Sequence, residues 1–143
     1  MQLINNFMEV FKDQNYDRIN NPNKLPIKDL LPTGIYWSIG NTTHTIVFES
    51  CAVVRLLSDM SGIAIVEIEN ETLVKQAHAY IINADGTKRF EIQLPAWATE
   101  DGRFNDVYYI GNDLCFFFFA NHEDYRMIVD AGNGNIKDIL ISR

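Results

Sequence analysis

The chain has 143 residues, of which 47% are apolar and 22% charged, and 12 basic against 19 acidic side chains give a net charge of −7. That is enough chain for one core and too little for two, and it excludes wholesale disorder. An acidic surface repels phosphate, which argues against nucleic acid as a partner and suits a cationic protein.

Residues 2–13 read as a helix: Leu3, Ile4, Phe7, Met8 and Phe11 recur at helical spacing. So short a helix is marginal alone and needs a surface to dock on. Residues 14–33 hold Pro22, Pro26 and Pro32 among Asn and Asp, and read as a connector, because proline lacks the donor that helices and ladders need. From residue 34 the pattern turns to strands. Ile35, Trp37 and Ile39 alternate with Tyr36 and Ser38, and Gly40-Asn41 marks a turn. Residues 43–49 place His44, Ile46 and Phe48 on one face, and 51–57 and 63–69 continue extended, the latter rich in β-branched side chains.

Residues 73–83 and 87–94 flank Ala84-Asp85-Gly86, the strongest hairpin signal, since Asp-Gly tolerates positive φ. The second arm sets Phe90, Ile92 and Leu94 against Arg89, Glu91 and Gln93, and Pro95 stops it. Residues 95–105 read as a loop. Strands follow at 107–110, 114–120, 125–130 and 136–141, joined by short polar turns. The strand over 114–120, Leu-Cys-Phe-Phe-Phe-Phe-Ala, is apolar on both faces. Both faces need cover, from the N-terminal helix and another sheet, or else one is an interface.

The predicted architecture is therefore a single domain over 1–143, mainly β and bordering on α+β. It is an antiparallel meander of about eight or nine strands, with an N-terminal helix (1–13), a connector (14–33) and a β region (34–143).

Chemistry is sparse. No Gly-x-Ser-x-Gly turn, phosphate-binding loop or dinucleotide fingerprint occurs. Cys51 and Cys115 sit among apolar residues and read as buried free thiols, the opposite of a reactive setting. His44 reads as a core histidine, His78 lies mid-strand, and His122-Glu123-Asp124 is a polar turn; none has zinc-ligand company. Asp130-Ala-Gly-Asn-Gly-Asn135 looks like a calcium loop but lacks the alternating acids and closing Glu, and reads as a turn. No cofactor or metal is expected. Nothing at the N-terminus has the basic start and unbroken apolar centre of an export signal, and no apolar run spans a membrane, so the expected location is the cytoplasm.

Acid is concentrated. Between residues 100 and 130 lie seven acids against Arg103 and Arg126. Glu100, Asp101, Asp106, Asp113, Glu123 and Asp124 form the predicted contact surface for a basic protein, with Trp97, Phe104 and Tyr125 as aromatic anchors. Residues 114–142, with Ile128-Val129-Asp130-Ala-Gly-Asn-Gly-Asn-Ile136, resemble one blade of a β-propeller of the quinoprotein or WD type, and the Asp85-Gly86 hairpin resembles a second copy. In size, charge and lack of catalytic motifs the chain also resembles the small acidic immunity proteins that bacteria pair with cationic toxins. That resemblance implies a non-enzymatic inhibitor that covers a toxin's basic active site. Two alternatives stay open: an aromatic-lined β-barrel pocket with His44 and His78 turned inward, and self-association through residues 116–119.

Overall fold

The computed structural model describes residues 2–68 and 78–142. The first part of the strand expected over 73–83 thus lies outside the described residues. The described residues form eleven strands, β1 (Asn5–Val10), β2 (Gly34–Ile39), β3 (Thr42–Val47), β4 (Cys51–Leu56), β5 (Gly62–Ile68), β6 (His78–Asn83), β7 (Lys88–Ile92), β8 (Arg103–Ile110), β9 (Asp113–Ala120), β10 (Glu123–Val129) and β11 (Ile136–Ile141). A four-residue helix, α1 (Ile27–Leu30), lies in the connector, and a 3₁₀ turn covers Ala96–Ala98. The strands make three antiparallel sheets, each a meander: β1-β2-β3, β4-β5-β6-β7, and β8-β9-β10-β11.

The sheets stack in three layers. One core lies between the β4–β7 and β8–β11 sheets, where Val53, Val66 and Ile81 meet Phe104, Phe116, Phe118 and Met127. A second lies between β4–β7 and β1–β3, where Val54, Ile63 and Ile65 meet Ile35 and Trp37. The middle sheet is therefore buried on both faces. That is why β5 reads Ile63-Ala64-Ile65-Val66, four consecutive buried residues with no polar alternation. Full burial of each such side chain contributes about 1.5–3 kcal/mol. The Trp37 indole N–H, sealed in the second core, donates to the Ala84 carbonyl at 2.7 Å.

The mainly β antiparallel architecture is as expected, but with eleven strands instead of eight or nine, and the N-terminal helix is absent. Residues 5–10 are β1, paired with β2. The cause is a β-bulge. The register slips by one residue between Asn5 and Met8, with Asn6 at φ +53. The extra residue puts Ile4 and Phe7, three apart, on the same core face. A bulged strand thus reproduces the apolar spacing of a helix. A second bulge, between Phe104 and Asp106, hid the start of β8 inside the expected loop over 95–105.

The phenylalanine strand β9 is covered within the chain except at Phe119, which is 42% exposed. Leu114, Phe116 and Phe118 face the core. On the opposite face Cys115 is buried, and Phe117 is 8% exposed beneath Tyr108, whose ring stacks on it at 4.3 Å. Cross-strand stacking supplies the cover, not a further layer. The β4–β7 and β8–β11 sheets are four-stranded meanders, stacked face to face through a shared core.

Candidate partner-binding surface

The turn between β9 and β10 is made by Asn121 and His122, both left-handed, at φ +51 and +63. This is the two-residue geometry that matches strand twist in a tight hairpin. The Asn121 N–H donates to Asp101 Oδ2 at 3.3 Å. That bond brings the loop after the 3₁₀ turn against the hairpin tip. Glu100, Asp101, Glu123 and Asp124 consequently gather, all exposed, at one end of the β8–β11 sheet. Among the described residues none of the four lies within ion-pair distance of a cation. Trp97 stands beside them, 51% exposed, its ring 5.0 Å from Tyr125 and 6.0 Å from Phe118. Tyr125 stacks on Phe118 at 5.1 Å. Trp97 is thereby a large, half-open aromatic packed on Tyr125 and Phe118, next to four carboxylates and one cation, Arg103, which flanks Phe119 across the sheet from Asp124.

The other predicted contact residues are elsewhere. Asp113 begins β9 at the sheet's far end, and an eight-residue strand spans about 23 Å. Asp106 is half-buried in β8 and its carboxylate accepts the Val107 N–H at 2.8 Å. Burial pushes its pKa up, against the pull of the Arg55 guanidinium. Phe104 is 4% exposed, edge-on to Phe116 and Phe118, so its ring belongs to the core and cannot be a surface anchor. Alternation through the bulge at residue 105 is what disguised this.

His44 is half-buried and stacked on Trp37 at 5.4 Å, while His122 is exposed in its turn. Both cysteines are buried and free, and burial pushes each thiol up, which disfavours the nucleophilic thiolate. The Asp130 carboxylate accepts the N–H groups of Gly132 and Asn133 at 2.8 and 3.1 Å, as in an Asx turn. No group of three or more His, Cys, Asp and Glu is arranged to hold a metal among the described residues.

A feature missed in the sequence lies between β3 and the β6–β7 hairpin: an open cleft of about 400 Å³ walled by Glu67, His78, Tyr80, Lys88 and Glu91. The Lys88 ammonium is 2.6 Å from Glu91 and 5.4 Å above the Tyr80 ring. His78 Nδ1 is 3.6 Å from Glu91. The Tyr80 hydroxyl donates to Glu67, and burial together with both glutamates pushes its pKa far up. Glu91 was legible as part of a polar strand face, but that this face lines a cleft depends on sheet stacking, which alternation does not encode. The cleft is charged and open, unlike the apolar barrel pocket expected as an alternative.

A solved structure of Tne2 in complex with Tni2 contains a chain of the same fold. The match has a TM-score of 0.77 at 16% identity and covers 99% of this chain and 100% of that one. At that identity the likeness is one of fold, extending over the whole of both chains. No protein-family model and no curated protein matches the sequence.

Proposed function

We propose that this chain is a non-enzymatic binding protein of the cytoplasm, an immunity or inhibitor protein that neutralises a basic toxin or nuclease domain. The observation that carries this is the convergence of Glu100, Asp101, Glu123 and Asp124 beside Trp97 and Tyr125. Four exposed carboxylates with no ion pair among the described residues, at one end of the sheet, steer a cationic surface toward it, and an adjacent half-open Trp is the residue type that dominates interface energies. Full-length likeness in fold to a chain of a two-protein complex supports the same reading.

The test is capture from a lysate of the source cells on the immobilised wild-type chain and on the E100Q/D101N/E123Q/D124N variant. The expected result is a basic protein, toxic when expressed alone and harmless with this chain. It should associate with the variant on the order of tenfold more slowly at low salt. Equal capture by the two proteins, at equal rates, removes the acidic end from the contact.

A further inference from the structure

Three sheets have six edge strands, and five of them are protected. β1 carries the bulge at Asn6 and the charge of Glu9. β4 carries Arg55, and the connector is bonded to it through Ala52 N–H to the Pro32 carbonyl at 3.0 Å. β7 has Lys88, Arg89 and Glu91 and a register slip against β6. On β8 and β11, an aspartate takes the following N–H, Asp106 that of Val107 and Asp138 that of Ile139, each at 2.8 Å. Both strands also pair through a bulge. These are the means by which proteins keep edges from pairing with other chains.

Among the described residues, β3 has none of them. Thr42-Thr43-His44-Thr45-Ile46-Val47 contains no Asp, Glu, Lys, Arg or Pro, and its register with β2 is unbroken over six pairs. The space beside it is the cleft. The outer layer has three strands where the middle layer has four, so the place a fourth outer strand would take lies beyond β3, over Tyr80, Lys88 and Glu91.

We infer that β3 is a docking edge at which an extended segment of the basic partner adds as a fourth strand, seating a Lys or Arg side chain in the cleft between Glu67 and Glu91. The inference rests on the reading of the chain as a binder of a basic protein. An added strand satisfies the free backbone groups of β3, and every second side chain of it points into the cleft. The cleft already shows which group it selects, because Lys88 holds an ammonium over the Tyr80 ring and against Glu91. An incoming cation displaces Lys88 and takes both contacts. A second copy of this chain suits the edge less well, since two β3 strands would bring only Thr, His, Ile and Val to a cleft walled by two glutamates.

The probe is a synthetic peptide, Ac-Val-Arg-Val-Arg-Val-Arg-NH2, titrated into the full chain and followed by amide NMR. Backbone shifts at 42–47 and side-chain shifts at Tyr80 and Glu91 are expected. Affinity should fall about tenfold in E67Q/E91Q and be lost when alternate peptide nitrogens are methylated. A methylated peptide that binds equally, or shifts confined to 97–101 and 121–125, overturns strand addition. So does a concentration-dependent dimer that buries β3 in sedimentation and exchange experiments. If the captured basic protein protects 97–101 and 121–125 from exchange but not 42–47, strand addition fails and the partner reading stands. If the peptide binds β3 and the chain captures nothing basic, the partner reading fails instead.

Discussion

Gly134 has φ +77, and a Cβ built there would lie 2.7 Å from the Phe90 ring. Its N–H donates to the Asp130 carbonyl at 2.8 Å, closing the β10–β11 turn on top of β7. From the neighbouring position Arg89 ties the same turn down, its Nη1 donating to the Ala131 carbonyl at 3.1 Å and its Nε to Asn83 at 2.6 Å. The Gly-Asn-Gly-Asn run was legible as a turn; its seat on β7 was not, because nothing local records which sheet a turn leans on. Gly134→Ala meets both the left-handed backbone and the Phe90 ring, so it is expected to destabilise by about 1–3 kcal/mol. Urea unfolding is the measurement. A midpoint matching wild type would mean that the turn moves off β7 without cost. Gly132→Ala, at a glycine outside the left-handed region and with only the Asp130 carboxylate nearby, should change far less.

Strand boundaries were readable where alternation ran unbroken, as in β2, and misread where a bulge intervened, as in β1 and at the start of β8. A bulge changes the period without changing composition, so Ile4 and Phe7 look helical until β2 is laid beside them. The same scale shows what guards the outer edge of β11. Ile136, Leu140 and Ile141 are exposed on this edge, and the Asp138 carboxylate, by taking the Ile139 N–H, removes a donor from it. Asp138→Val leaves that N–H open within Ile-Lys-Val-Ile-Leu-Ile, an edge strand with one charge. The expected outcome is a weight-average mass that rises with concentration in sedimentation equilibrium, beyond any rise in wild type. Asp138→Asn keeps an acceptor and should behave as wild type. A Val variant that sediments like wild type would show that the aspartate does not guard the edge.

Across the whole molecule, three layers could not be read from the chain, although β9 showed that one strand needed cover on both faces. The layers meet electrically at Arg55, on the edge of the middle sheet. Half-buried Glu9 on β1 and half-buried Asp106 on β8 both feel its guanidinium. In each, burial outweighs that attraction and raises the pKa above the ordinary 4.5 of Glu and 3.8 of Asp. The folded protein therefore holds these two protons to higher pH than the unfolded chain does. Between the ordinary and the raised values the native state binds more protons, so their contribution to stability falls as pH rises through that window and is fullest below it. Asp59 and Asp85 act in the opposite sense, since hydrogen bonds from Ser61 and Thr87 lower their pKa values, and what they contribute is lost only as pH falls below 3.8. The two windows do not overlap. Glu9→Gln with Asp106→Asn keeps the hydrogen-bond acceptors and deletes the upper window. Denaturant unfolding at about pH 4 and about pH 7 should show a smaller loss of stability on going upward in the double variant than in wild type. Exposed carboxylates contribute equally to both proteins and cancel in the difference. An equal fall in the two would mean that the carboxylates on either side of Arg55 are ionised at no cost, and that the three layers do not share a charge centre there.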